Sequence, residues 1–263
     1  MTDMEVSLRI AEMLRKVRSA LASRYLFDNW FTLLIRHALT RLGFNVKLMA
    51  RVGDCTFELS PEAFGCLAVR ASYGAIEISC VDGELYVNGG RYGKYHGAWV
   101  YDNLCNCYVR NNVKFRQIYW AIYQVFDCGE YEPLDVSGRV VVDIGAFVGD
   151  SAIYFALRGA KRIIAVEPHP GAFAEMLDNI RLNNLEDVII PINAGLAGKP
   201  GKVCIEDVGV EATGGTYHRP GDCPNAVPVV TLSELISRFG INVDDAVLKM
   251  DCEGCEFDVI LND

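Results

Sequence analysis

The chain has 263 residues, 51% hydrophobic and 22% charged, with a formal net charge of −9 and an isoelectric point near 5.0. That apolar content can fill a substantial core, as one large domain or two small ones. The acidic balance speaks against a general nucleic-acid binder, whose affinity comes from Lys and Arg neutralising phosphates, although a local basic patch stays open. No apolar stretch reaches the roughly 18 residues that cross a bilayer. Met1-Thr2-Asp3-Met4-Glu5 lacks the basic-then-apolar order of a signal peptide, so the expected address is the cytoplasm.

In chain order, Val6, Ile10, Met13, Leu14, Val17 and Leu21 recur at spacings of three and four and predict a helix over 5–23. Trp30, Leu33, Leu34, His37, Ala38 and Leu42 predict a second over 29–42, with His37 as a core or boundary histidine. Residues 1–43 are thus read as amphipathic helices that pack on the rest of the protein or on a partner subunit. From 44 to about 110 the period changes to two. Strands over 45–51 and 55–60 flank Gly53-Asp54, and strands over 75–81 and 84–88 flank the hairpin signal Asp82-Gly83. The glycine- and aromatic-rich stretch 89–99 reads as a long turn or as a loop over substrate. Phe115, Tyr119, Tyr123 and Phe126 predict a connecting helix over 113–126, and Asp127 to Pro133 breaks it. The region 44–130 is therefore expected to be a small β-rich unit with one helix.

From 131 onward strand and helix alternate, which implies a parallel sheet with helices on both faces. Val140-Val141-Val142-Asp143 is an apolar run ending in an acid, followed by Ile144, Gly145, Ala146, Phe147, Val148, Gly149 and a helix over 151–158. A strand, a tight glycine turn and a helix N-terminus make a nucleotide site: Gly145 is expected to admit ligand close to the backbone, and Gly149 to let helix and strand pack. The next strand, 162–166, ends in Glu167. That carboxylate is placed to meet ribose hydroxyls. Pro168-His169-Pro170 opens a helix to about Leu182. A third strand runs over 188–192 and ends at Asn193-Ala194, a short strand over 202–207 follows, and 212–225 reads as loop. Thr231 with Glu234 predicts a capped helix over 232–239. Ala246 to Met250 is a fourth strand, ending in Asp251-Cys252-Glu253-Gly254-Cys255-Glu256.

The ten cysteines are scattered through strands and helices, and most read as small buried hydrophobes. Cys252/Cys255 and Cys105/Cys107 have the spacing of zinc-ligand pairs, and disulfides would suit a hyperthermophile.

Val142-Asp143-Ile144-Gly145-Ala146 with Gly149-Asp150, Glu167-Pro168-His169-Pro170, Asn179 with Leu182-Asn183, and Leu248-Lys249-Met250-Asp251-Cys252-Glu253-Gly254-Cys255-Glu256 together resemble the FkbM family of methyltransferases over about 117–258. The resemblance implies S-adenosylmethionine as cofactor and an α/β, Rossmann-like class I methyltransferase sheet over 131–263, preceded by an α+β N-terminal region. Phe147 stands where a dinucleotide fingerprint has its middle glycine, so a nicotinamide cofactor is disfavoured. By the resemblance, Asp143, Gly145, Ala146, Phe147 and Gly149 line the methionine and ribose portion of the cofactor. Glu167 accepts from the ribose hydroxyls, and Asn193 lies near adenine. Asp143 and Glu167 have a plainer reading as helix caps or salt-bridge partners at the sheet edge. Alanine at either position is expected to lose cofactor affinity in a folded protein.

Asp251 would face the sulfonium methyl and the acceptor, supported by Glu253 or Glu256, which otherwise only cap the next helix. His218 is a candidate general base. The three acids at 251, 253 and 256 also have the chemistry of Mg²⁺ ligands, although no metal is expected. The acceptor implied is a small-molecule or glycan-like hydroxyl. A tRNA base methyltransferase and a non-catalytic cofactor-binding or scaffolding subunit are the alternatives. A class I sheet has seven strands, so the sequence predicts one lacking its last strands, with an edge left for the N-terminal β region, a second copy or a partner.

Overall fold

The computed structural model describes residues 14, 17–74, 76–87, 90–92, 99–206, 208–212, 219–252 and 254–263. The chain forms two compact units, one comprising Met1–Val100 with Trp120–Pro133 and the other Tyr101–Tyr119 with Leu134–Asp263. Residues 101–119, which the sequence pattern groups with the β-rich region, thus join the α/β unit.

In the first unit, residues 17–22 are helical and pass through a 3₁₀ turn, Ser23–Tyr25, toward α1 (Trp30–Arg41). His37 is half-buried, its ring 5.1 Å from that of Phe64, and burial followed by the nearby Arg41 lowers its pKa, as suits a boundary histidine. β1 (Leu48–Val52) and β2 (Cys55–Leu59) pair antiparallel with Val52 opposite Cys55, which puts Gly53-Asp54 in the turn. A helix not foreseen from the strand period follows: α2 (Pro61–Ser72), capped by the Ser60 hydroxyl, which accepts from the Ala63 amide at 3.0 Å. Ala63, Phe64, Leu67 and Ala68 are its buried face, so its apolar period is helical. β3 (Ile78–Val81) and β4 (Glu84–Val87) close through Asp82 at φ +52° and Gly83 at φ +80°, and β5 (Gly90–Tyr92) adds to β4. Positive φ at both central residues is what a two-residue hairpin turn requires. Phe27, Leu33, Leu48, Phe64, Leu67 and Val87 form the core. Most of the stretch 89–99 lies outside the described residues.

A three-stranded sheet of β6 (Val100–Asp102), β7 (Cys107–Arg110) and β8 (Val113–Phe115) precedes the short α3 (Trp120–Phe126). The helix expected over 113–126 is therefore helical only from Trp120, its first three residues being strand. Phe115 is buried from β8, which accounts for an apolar residue that also fits a helical spacing.

The second unit is built on β9 (Val140–Ile144), α4 (Asp150–Leu157), β10 (Arg162–Val166), α5 (Pro170–Leu182) and β11 (Ile189–Ile192). A smaller sheet contains β12 (Gly195–Leu196), β13 (Gly201–Cys204), β14 (Arg219–Pro220) and β15 (Ala226–Val230), in the order β12-β15-β13-β14. β15 is a strand that the sequence pattern hides, because Pro228 interrupts its apolar run. Then come α6 (Leu232–Phe239), β16 (Ala246–Met250) and α7 (Glu256–Asn262). Thr231 and Glu234 make the capping box as expected. β11, β10, β9 and β16 form one parallel sheet in that order, with β16 at its end among the described residues. This is the mixed α/β architecture the alternation predicts. Val142, Ile144, Ile164, Val166, Leu235, Ile241 and Val259 fill its core.

All ten cysteines are paired: Cys55–Cys80 and Cys66–Cys128 in the first unit, and Cys105–Cys107, Cys204–Cys223 and Cys252–Cys255 in the second. This corrects the reading of most of them as isolated buried hydrophobes. The denatured, unreduced chain should show no thiol to Ellman's reagent and ten after reduction. Two or more free thiols before reduction would count against these pairings.

Candidate active site

Three strand ends define the site. Ile144 pairs with Val166 on one side and with Met250 on the other, so the segments after β9, β10 and β16 leave the sheet at one edge. Asp143, the turn 145–149, Glu167 and Asp251 are brought together there.

The turn is held in a left-handed conformation at Gly145 (φ +73°), Phe147 (φ +48°) and Gly149 (φ +85°). The Gly145 and Ala146 amides both donate to the Val166 carbonyl at 3.0 Å. Ala146 is buried. Positive φ at a phenylalanine is uncommon and costs roughly 1–3 kcal/mol, so its surroundings must impose it. Here the Phe147 amide donates to Glu167 Oε2 at 2.9 Å, and its ring meets Tyr119 edge-on at 5.2 Å. The Tyr119 hydroxyl donates in turn to Glu175 Oε2 at 2.8 Å.

Both glycines make room for neighbouring segments of the fold. A Cβ on Gly145 would stand 1.9 Å from the Asp251 carbonyl oxygen, so its missing side chain makes room for the loop after β16. A Cβ on Gly149 would meet Met176 Cγ of α5 at 3.0 Å, so it is α5 that approaches there.

Glu167 is 6% exposed. Its Oε1 accepts from the His169 amide at 2.8 Å and its Oε2 from Phe147, which leaves a second acceptor position on each oxygen. Burial pushes its pKa up to about 7 although both amides and Lys249 favour the anion. His169 caps α5: Nδ1 accepts from the Ala172 amide at 3.1 Å, and Nε2 lies 3.2 Å from the Val208 carbonyl, a pattern that fits the neutral Nε2–H tautomer. Asn193 Nδ2 donates to the Glu167 and Pro168 carbonyls at 2.9 and 3.1 Å and fixes the loop that carries Glu167.

Asp143 is fully buried. Its Oδ2 accepts from Ser151 Oγ at 2.6 Å, and its Oδ1 lies 3.1 Å from Lys249 Nζ. The sequence reading passed over both partners; an apolar strand that places a lysine opposite a strand-end acid was the available signal for Lys249. Asn179 is buried as well. Its Nδ2 donates to the Val148 carbonyl in the turn at 2.9 Å while its Oδ1 accepts from the Arg116 amide beside β8 at 2.8 Å. Asn183 exchanges two hydrogen bonds with the Lys114 backbone. The motif asparagines thus fasten the β7–β8 hairpin to α5 and to the turn.

Asp251 is exposed, and its amide donates to the Ile144 carbonyl at 3.1 Å. Glu256 folds back to accept from the Cys252 and Gly254 amides, each at 2.9 Å; these donors hold its pKa below the usual range against some desolvation. Its role is to shape the loop. Glu253 and His218 lie outside the described residues. Among the described residues no group of three or more His, Cys, Asp and Glu is placed to hold a metal ion.

A parallel sheet with a left-handed glycine turn after one strand and a buried, twice-anchored carboxylate after the next makes this a Rossmann-like α/β domain. Residues 143–263 match the family model for the methyltransferase FkbM domain. That segment, a little under half of the chain, is similar to the FkbM methyltransferase domain. No curated protein matches the chain. Among solved structures, it is similar to the methyltransferase FkbM from Methylobacillus flagellatus KT, with 18% identity, 53% of this chain and 32% of that chain covered, and a TM-score of 0.35. It is also similar to P. horikoshii TYW2 in complex with MeSAdo, with 20% identity, 56% and 55% covered, and a TM-score of 0.29. A third is Arabidopsis thaliana protein arginine methyltransferase 10, with 29% identity over 22% of this chain and 16% of that chain, and a TM-score of 0.21. The chain spans less than two thirds of the length of each. With TM-scores this low, the family match over 143–263 is what assigns the class.

Proposed function

We propose that the chain is an S-adenosylmethionine-dependent methyltransferase that methylates a hydroxyl oxygen of a small-molecule or glycan-like acceptor. The observation that supports this most is Glu167: both of its oxygens are oriented by backbone amides and each keeps an acceptor position, which suits the paired hydroxyls of a ribose. The cofactor supplies a sulfonium-bound methyl group for in-line displacement. Asp251, exposed at the same sheet edge, is placed to orient the acceptor hydroxyl and take its proton. Glu167, aimed by the Phe147 and His169 amides, positions the cofactor; Asp251 acts on the acceptor. Glu253 and His218 remain candidates for the acceptor side, and Asn193 for the adenine side. No metal enters this reading.

A titration against S-adenosylmethionine tests it. Ribose hydroxyls donate more strongly to a carboxylate than to a carboxyl. Affinity should therefore rise with pH through about 7 and level off above it. Glu167→Gln should weaken binding by about tenfold or more and remove the pH dependence. Stability moves the other way: the folded carboxyl keeps its proton up to about 7 and the unfolded one only to about 4.5, so the native state binds more protons in that window and loses stability as pH rises through it. Asp251→Asn should bind cofactor normally and transfer no tritiated methyl to a panel of hydroxyl acceptors. Unchanged turnover in that variant removes Asp251 from the mechanism. Wild-type binding without transfer to any acceptor favours the non-catalytic reading, and label appearing in tRNA favours the base methyltransferase.

No helix among the described residues is long and apolar enough to cross a membrane. Intracellular disulfides in this number suit the cytoplasm of a hyperthermophile, and in other organisms they point to an oxidising compartment. The cytoplasmic expectation is kept on the first of these terms.

A further inference from the structure

Lys249 stands on β16 opposite Asp143 of β9 in the parallel register, so both side chains leave the same face of neighbouring strands. Both are buried, at 5% and 0% side-chain exposure. The ammonium lies 2.7 Å from the Gly145 carbonyl, 3.3 Å from the Ile144 carbonyl and 3.1 Å from Asp143 Oδ1. The same Ile144 carbonyl receives the Asp251 amide, while the Gly145 and Ala146 amides are tied to Val166 of β10. The turn is thus gripped from β10 through its amides and from β16 through its carbonyls.

We propose that Lys249 is a positioning residue for the candidate cofactor site, clamping the Gly145 peptide to Asp143 so that the turn, and through the Phe147 amide the Glu167 carboxylate, is held in one fixed direction. The ligand's identity rests on the function proposed above; the clamp does not. A salt bridge that served stability alone could be exchanged for apolar packing at little cost. This one is joined to the peptide plane from which the turn starts, where the Asp251 carbonyl fills the space that a Gly145 Cβ would take. The charged groups around the ammonium come from every neighbouring element: Asp143 on β9, Asp150 at the start of α4, Asp251 after β16 and Glu167 after β10. Burial opposes the charge on Lys249, but Asp143, Asp150 and Asp251 more than offset it and raise its pKa, so it stays an ammonium at neutral pH. Its charge in turn favours the Glu167 carboxylate, more than Asp143 disfavours it.

The test uses Lys249→Gln together with the Asp143→Asn/Lys249→Gln double variant, which strands no buried charge and so keeps the fold if the single variant does not. Two readouts need no cofactor. Hydrogen exchange at the Gly145, Ala146 and Phe147 amides should speed up at least about tenfold while the α6 core amides keep their protection. The Glu167 carboxyl, followed by carbon NMR, should titrate at higher pH than in the wild type, because the Lys249 charge that favours its anion is gone. The third readout is S-adenosylmethionine affinity, expected to fall at least about tenfold. Wild-type exchange and an unmoved Glu167 midpoint in a folded variant overturn the proposal. Altered exchange and midpoint in a protein whose wild type binds no S-adenosylmethionine uphold the clamp and overturn the functional reading.

Discussion

Gly145→Ala should be the most damaging single-methyl change in the α/β unit. The added Cβ would stand 1.9 Å from the Asp251 backbone oxygen and 2.8 Å from the Asp251 carbonyl carbon, at a backbone φ of +73°. Neither obstacle is a flexible side chain: the loop after β16 is fixed by the Asp251 amide on Ile144, and the turn is fixed on Val166. Left-handed strain of roughly 1–3 kcal/mol and overpacking of roughly 1–3 kcal/mol add to an expected loss on the order of 2–6 kcal/mol. Gly149→Ala is the control. It carries the same kind of φ, +85°, but its Cβ would meet Met176 Cγ at 3.0 Å, the movable part of an unbranched side chain. Urea denaturation should rank Gly145→Ala well below Gly149→Ala. Equal midpoints, or the reverse order, would show that the contact with Asp251 does not constrain the turn.

Asp143→Ala should destabilise the protein by roughly 3–5 kcal/mol, the usual result of removing one partner of a buried ion pair. The variant leaves Lys249 Nζ facing a void and Ser151 Oγ without its acceptor, both behind the strand end. From the sequence, this change was expected to lose cofactor affinity in a folded protein; the burial of Asp143 shifts the expected effect to the fold. Asp143→Asn keeps one acceptor, for Lys249 Nζ, and puts at the other position an Nδ2–H donor that the Ser151 hydroxyl can accept from, so it should lose less. If Asp143→Ala melts within about 1 kcal/mol of wild type, Asp143 is not holding Lys249 in solution.

The sequence made the α/β unit legible because its signals are local. Thr231-x-x-Glu234 announces a cap, the strand Ala246–Met250 is a continuous apolar run broken only by Lys249, and Pro170 opens α5 where a fixed φ is already helical. The carboxylate pair Asp143 and Glu167 could be placed for the same reason, each being the acid beside a strand end. What was lost depended on distant partners or on competing periods. α2 was hidden inside a region read at period two, although Ser60-Pro61-Glu62 is a start signal. β8 borrowed its Phe115 from an apparent helical stripe. The contrast between Asp143 and Glu167 is set by residues about 100 and 20 positions away, Lys249 and Phe147, and only the fold brings these into contact. Disulfide partners are likewise invisible, since sequence order carries no information on which of ten cysteines meet.

The hairpin fastened by Asn179 and Asn183 bears on how the chain reaches its native state. The Arg116 amide waits for Asn179, 63 residues later, and Cys66 waits for Cys128, 62 residues later. Between them the chain leaves the first unit at Tyr101, returns at Trp120 and leaves again at Leu134. Neither unit is therefore a contiguous segment that can finish folding as it emerges during synthesis. With closures this long, ordering of the glycine turn belongs to the late, slow part of folding. No single cut in the backbone separates the two units into independent pieces.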